Sequence, residues 1–239
     1  MRFEYPTAFT GNKNIDAQSF GSPCVQTGVN GSEDCLFLNI FTPFIPSENS
    51  HVPLKAVMFW IHGGAFTGGE GSDPTFDGSA LTSRGDVVLV TINYRLSTLG
   101  FLALEDGKTN GNFGLADQVA ALEWVREHIA AFGGDKDRIT IFGQSAGAAS
   151  VRALTASPPA IGKYAAAVPM SNLAGINFAK PYSFYFTIPE NVAQVTNPLL
   201  ASVGCNVSAS DILPCLRAVD AQTLVDVSTA SKYAFTYPL

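Results

Sequence analysis

The segment Val87-Val88-Leu89-Val90-Thr91-Ile92 is apolar at almost every position. A strand with one face in water alternates apolar and polar residues. A run without that alternation belongs to a sheet covered on both faces. Ala56–Ile61 has the same character, and further strands are expected at Cys35–Phe41, Ile139–Phe142 and Tyr164–Met170. Between them lie helical patterns. Leu115, Val119, Leu122, Val125, Ile129 and Phe132 recur at three- and four-residue spacing, which predicts a helix from about Gly114 to Phe132, stopped by Gly133-Gly134. Ala146–Leu154 reads as the next helix. Strand, helix, strand, helix, strand is the order of a parallel sheet with helices on both faces. Residues 1–34 read as loop-rich and Thr67–Asp73 as flexible. No repeat, low-complexity tract or linker interrupts the chain, so residues 1–239 are expected to form a single α/β unit.

Charge narrows the function classes. Only 14% of residues are charged and the net charge is −6. Such a chain offers phosphates no basic surface, which argues against a nucleic-acid partner. Its hydrophobic content of 46% argues against a disordered chain. No apolar run reaches the roughly 18 residues needed for a transmembrane helix.

The four cysteines form two close pairs, Cys24/Cys35 and Cys205/Cys215. The even count suits disulfides. Zinc pairs usually sit two to four residues apart, unlike these, while four reduced cysteines in a cytosolic protein remain the alternative. One glycosylation acceptor accompanies each pair: Asn30-Gly31-Ser32 and Asn206-Val207-Ser208. These features together favour a secreted protein, although the first residues carry no secretory signal.

Two short motifs carry chemistry. Gly143-Gln144-Ser145-Ala146-Gly147 is G-x-S-x-G, placed where a strand should hand over to a helix. There a serine is held in a strained turn with its hydroxyl clear of the sheet. Gly143 and Gly147 fit positions where neighbouring backbone leaves no room for Cβ atoms, and the helix dipole favours negative charge at the turn. His62-Gly63-Gly64-Ala65-Phe66 follows an earlier strand. Small residues let backbone N–H groups approach a developing oxyanion, and the candidate donors are the N–H groups of Gly64, Ala65 and Ala146. No second metal ligand lies near His62 in sequence, so no metal or cofactor is expected.

The run from Phe132 to Gly147 resembles the serine signature of type-B carboxylesterases, the cholinesterase-like branch of the α/β-hydrolase fold. Glu33 to Pro43 resembles the family's second signature, with Phe37 in place of the usual Tyr, and the runs at Asn93-Tyr94-Arg95-Leu96 and from Gly111 to Gln118 also match. The resemblance implies a mostly parallel central sheet flanked by helices. It implies a small carboxylic ester as substrate, Ser145 as acyl-enzyme nucleophile, and disulfides Cys24–Cys35 and Cys205–Cys215. Arg95 and Asp117 match a buried ion pair, and Ser171 a buried serine behind the nucleophile, with Asn172 replacing the usual Gly. Ten residues separate Cys24 from Cys35, without a Trp. That loop is like neither the long lid of the family's lipases nor the choline-stacking loop of its cholinesterases. Gln144 replaces the cholinesterase Glu that helps attract a quaternary ammonium. Soluble, neutral, modest-sized esters are therefore expected.

The triad is incomplete in these residues. In this fold the order is Ser, acid, His, yet His51, His62 and His128 all precede Ser145. His51 is expected in solvent, His128 on a helix surface or in packing, and His62 in a structural role. The acid and the base are expected beyond Leu239, and strands before Met1, so that the chain is a domain truncated at both ends with unpaired sheet edges and poor solubility. The alternative is a non-catalytic, cholinesterase-like binding or adhesion protein or a pseudoenzyme; the intact serine turn favours the esterase.

Overall fold

A computed structural model describes residues 2–9, 16–47, 51–172, 186–205 and 212–230. Among the described residues five strands make one sheet: β1 (Leu38–Phe41), β2 (Lys55–Ile61), β3 (Val88–Ile92), β4 (Gly134–Gln144) and β5 (Ala166–Met170). Their spatial order is β1-β3-β2-β4-β5. Only β1 runs antiparallel to its neighbour; the other pairings are parallel. All five residues of β3 are buried, as its unbroken apolar run requires.

Helices cover the sheet. They are α1 (Ser79–Gly85), α2 (Ser97–Phe101), α3 (Phe113–His128) and α4 (Ala146–Ala156). After β5 come α5 (Ile188–Asn191), α6 (Asn197–Ser202), α7 (Leu213–Ala218) and α8 (Ala221–Ala230). α3 ends in a 3-10 turn, Ile129–Phe132, and Gly133 stops it at φ 81° in the left-handed conformation expected of that glycine. β4 is much longer than the apolar run Ile139–Phe142, because β2 pairs with it back to Gly134.

The α3 stripe is modified by tertiary contacts. Leu122, Val125 and Ile129 are buried as the spacing predicts, but the first turns bury Phe113, Gly114, Asp117 and Gln118 in preference to Leu115 and Val119. The polar pair is buried because each finds a partner. Asp117 receives the Arg95 guanidinium through two hydrogen bonds, at 2.6 and 2.7 Å, and the Arg95 backbone N–H at 3.0 Å. Gln118 Nε2 donates to Ser150 Oγ on α4 at 3.0 Å. Burial pushes the Asp117 carboxyl up and Arg95 opposes it. A pair this buried is strongly destabilising when one member is removed, on the order of 3–5 kcal/mol.

Two apolar cores result. The sheet core gathers Val57, Phe59, Ile61, Val90, Ile92, Ile139 and Ile141 with helix residues such as Leu122 and Val151. A second core joins Phe3, Val25, Leu99, Leu102, Phe113 and the C-terminal helices through Leu216, Leu224 and Val225. The Cys24–Cys35 loop is the seam: Cys24 belongs to the first core and Val25 to the second. Both cysteine pairs are disulfides, Cys24–Cys35 and Cys205–Cys215, so the reduced alternative does not hold. Asn30 lies exposed on the first loop; Asn206 lies outside the described residues. Among the described residues no helix is long and apolar enough to cross a membrane.

Candidate active site

β4 delivers Gly143 and Gln144 to the top of the sheet, and α4 begins at Ala146. Ser145 makes the whole turn between them, with φ 58° and ψ −118°. A non-glycine residue with positive φ is strained by its Cβ, so something must hold it. The glycines do. A Cβ on Gly143 would fall 2.6 Å from the Gly147 carbonyl and 2.7 Å from the Ile61 oxygen. One on Gly147 would collide with the Ile61 oxygen and sit 2.9 Å from that of His62. Three backbone segments are therefore in contact with no space for side chains, as the spacing of the motif requires. Ser145 N–H is also tied to the Met170 carbonyl of β5 at 3.1 Å. The first N–H groups of α4, Ala146 among them, have no intrahelical acceptor and face the turn.

β2 ends directly beside this turn. A Cβ on Gly63 would lie 2.6 Å from the Gln144 oxygen and 3.3 Å from Ser145 Cβ. Gly64, Ala65 and Phe66 then take φ values of 107°, 55° and 60°. Thr67 and Gly68 N–H groups both donate to the Gly64 carbonyl at 3.0 Å. This is one turn of left-handed helix. The N–H groups that lead into the turn, at Gly64 and Ala65, precede its first hydrogen-bonded donor, as at any helix start. The structure thus brings the loop of Gly64 and Ala65 together with Ser145 and Ala146. Sequence reasoning found these residues but not the handedness of the turn.

Surrounding side chains hold that turn. Phe66 is 5% exposed and packs edge-on to Phe101 at 5.2 Å and to Tyr94 at 6.4 Å. Its carbonyl accepts the Ser97 N–H at 2.7 Å. Thr67–Asp73 is pinned rather than flexible: Gln26 grips Gly69, and Gly71 is bonded to Asn93 Oδ1 and the Thr91 hydroxyl. Those partners are distant in sequence, so composition alone marks the segment as loose. Gln26 and Tyr94 went unmarked as site-shaping residues; the one available signal was that Gln26 sits two residues after a bridged cysteine.

The histidines stand apart from the serine's chemistry. His62 is fully buried, stacked on Tyr94 at 4.4 Å, and its Nδ1 lies 2.8 Å from the Gly63 carbonyl, an N–H donor geometry. Burial lowers its pKa to about 4, so it is neutral at pH 7. Tyr94, whose hydroxyl donates to the His62 carbonyl at 2.9 Å, is pushed up by burial and stays protonated. His51 is exposed. His128 is half-buried beside Trp124, with ring centres 4.7 Å apart. Ser171 is a correction. It is exposed at the end of β5 instead of buried behind the nucleophile, because β5 is the outer strand of the described sheet. Gln144 is exposed at the mouth of the turn. Among the described residues no cluster of His, Cys, Asp or Glu could hold a metal.

Known proteins resemble this chain in sequence and fold. The sequence profile of the carboxylesterase family matches residues 1–238. Para-nitrobenzyl esterase of Bacillus subtilis (strain 168) is 42% identical over 218 residues, covering 86% of this chain and 42% of that protein. Carboxylesterase 5A of Canis lupus familiaris is 39% identical, with 97% of this chain and 42% of that one covered. The solved structure of a PNB esterase superposes with a TM-score of 0.83 at 37% identity, over 99% of this chain and 50% of that one. The chain spans half or less of the length of these relatives. The mixed sheet with its flanking helices is that of the α/β-hydrolase esterases.

Proposed function

The chain belongs to the carboxylesterase family, and from that premise we propose that it carries the nucleophile and the oxyanion-binding groups of a carboxylic ester hydrolase. Ser145 Oγ attacks the ester carbonyl carbon. The carbonyl oxygen becomes an oxyanion and takes hydrogen bonds from the N–H groups of Gly64, Ala65 and Ala146. Collapse of the tetrahedral species expels the alcohol and leaves an acyl-Ser145, which water hydrolyses. Each donor of this type is worth about 2.7–4 kcal/mol of transition-state stabilisation. The observation that carries the reading is the Ser145 backbone at φ 58° between β4 and α4, with Gly63 packed against it.

A base must take the Ser145 proton and return it to the departing alcohol, with an acid to orient that base. His62 is buried and neutral with its Nδ1 turned to Gly63, and His51 and His128 lie elsewhere. The base is therefore assigned outside these 239 residues, which are read as one domain's nucleophile-bearing portion. The substrate class is a soluble, uncharged ester of modest size; a short disulfide loop without Trp and Gln144 at the turn support it. The disulfides, with Asn30 exposed on one of the loops, support a secreted glycoprotein.

Exposure of the chain to a p-nitrophenyl phosphonate, with the adduct located by mass spectrometry, tests this. Slow modification of Ser145, abolished in Ser145→Ala, is expected. No adduct at Ser145 in a folded sample would overturn the nucleophile assignment. Rapid turnover of p-nitrophenyl acetate by the 239 residues alone would overturn the external base. Faster hydrolysis of a choline ester than of its uncharged isostere would overturn the substrate class.

A further inference from the structure

Gln26 is 4% exposed, a rare state for a side chain with two donor hydrogens and two acceptor lone pairs. It is buried because the backbone of one distant residue matches it. Gln26 Oε1 accepts the Gly69 N–H at 2.8 Å, and Nε2 donates to the Gly69 carbonyl at 3.1 Å. The second amide hydrogen reaches the Cys24 carbonyl at 3.1 Å, within the disulfide loop. The side-chain amide thus pairs with Gly69 as a neighbouring strand would, donor to acceptor and acceptor to donor.

Gly69 is where the left-handed turn is closed. A Cβ there would collide with His62 Nδ1 and fall 2.6 Å from the Gly63 carbonyl, so Gly69 lies directly on the start of the loop that it ends. Gly68, one residue earlier, donates to the Gly64 carbonyl. A grip on Gly69 therefore fixes both ends of residues 63–69. The grip has its own anchors. Cys24 is bridged to Cys35, Gln222 of α8 donates to the Gln26 carbonyl at 3.2 Å, and Thr27 donates to Asp226 at 2.8 Å. Two cores meet at this loop, and Gln26 transmits their rigidity to the turn.

We propose that Gln26 is a positioning residue for the oxyanion donors: its amide, anchored in the Cys24–Cys35 loop, grips Gly69 and sets where the Gly64 and Ala65 N–H groups stand. The proposal rests on the reading of Ser145 as nucleophile. Polar contact is the operative part, since three hydrogen bonds hold the side-chain amide. Small displacements suffice, because an error of about 1 Å in catalytic geometry costs roughly a hundredfold in rate.

The test uses the full chain with Gln26→Met, which keeps length and volume, and Gln26→Glu, which keeps the acceptor for Gly69 N–H but loses the amide donor. Two readouts are taken. Amide hydrogen exchange at Gly68 and Gly69 reports the grip. The ratio of Ser145 labelling rates by a phosphonate and by its P=S analogue reports the donors, because sulfur is a poor hydrogen-bond acceptor and gains little from them. Faster exchange and a fall in the P=O/P=S ratio of roughly tenfold or more are expected in Gln26→Met, and effects at least as large in Gln26→Glu, whose carboxylate would face two carbonyl oxygens. Faster exchange with an unchanged ratio would make Gln26 a structural tie only and overturn the proposal. Unchanged exchange would also overturn it. A parent chain that exchanges as expected but is never labelled at Ser145 would overturn the reading of the nucleophile, and the proposal with it.

Discussion

The two turns that meet at Ser145 are both strained and are held in different ways. The serine turn is fixed by its own glycines: Gly143 and Gly147 let the backbone of β4, α4 and the end of β2 touch. The turn at Gly64–Phe66 carries more positive-φ backbone, two non-glycine residues among it. Its restraints are side chains from elsewhere: Gln26, Tyr94, Phe101 and the backbone of Ser97. Local strain can thus be stabilised by close backbone contact, here with β2 and β5, or by side-chain packing and hydrogen bonds. The first tolerates no added atom. The second is open to influence from side chains across the fold.

The largest contrast is expected from single methyl groups. Gly147→Ala places a Cβ against main-chain oxygen that cannot move without shifting β2, and should cost about 3 kcal/mol, the upper end of the overpacking range, measured by urea denaturation. Ala65→Gly is the matching change in the other turn. A cost below about 1 kcal/mol for Gly147→Ala would show that the serine turn is not set by close contact.

Acid should separate the turns next. His62 belongs to the second turn, and the serine turn contains no titratable group. The pKa of His62 is about 4 in the folded chain against 6.5 for the free side chain, because burial disfavours the cation. Unfolded chains therefore bind the proton first as pH falls. The stabilising contribution is full above about 6.5 and is lost as pH drops towards 4, by about 3 kcal/mol in all. Thermal melts from pH 7 to pH 4 should fall less steeply for His62→Gln than for the parent, and equal slopes would remove His62 as the cause.

The disulfides sharpen the comparison further. Selective loss of Cys24–Cys35 through a double Ser substitution should cost about 2–3 kcal/mol for a loop of this length and also speed amide exchange at Gly69. Loss of Cys205–Cys215, which closes a similar span of 10 residues, should cost as much without reaching Gly69. Equal effects on Gly69 would mean that global destabilisation, not the seam loop, controls the turn.

Ala65→Gly should produce the smallest change. Relief of the left-handed strain at φ 55°, about 1 kcal/mol, is offset by the greater freedom of glycine in the unfolded chain, about 0.4–1 kcal/mol. Stability within about 0.5 kcal/mol of the parent is the expected result of calorimetry. A large gain would mean that packing does not compensate the strain.

Much of the fold was legible in the sequence for reasons specific to each element. The unbroken apolar run of β3 required two covered faces, and Gly133 stopped the long helix where its left-handed φ was needed. α2 escaped notice because Leu96–Phe101 has no helical period and is buried all round. The first turns of α3 bury Asp117 and Gln118 because Arg95 and Ser150 lie opposite, partners that periodicity does not see. Ser171 was expected in the interior and lies exposed on the outer strand, since burial depends on what is packed beyond a strand.

The sequence by itself determined which residues meet at the candidate site: the serine between two glycines, the small residues after β2, and the absence of a histidine after Ser145. Those features are short runs that can be read in chain order, although the contacts that bring the runs together join residues some eighty positions apart. Only the tertiary structure decided how the second turn is held. Its left-handed backbone, the neutral state of His62 and the grip of Gln26 on Gly69 all arise from groups tens of residues apart. Their energies depend on burial and on the presence of a hydrogen-bond partner, which exist once two cores have been brought against the same disulfide loop.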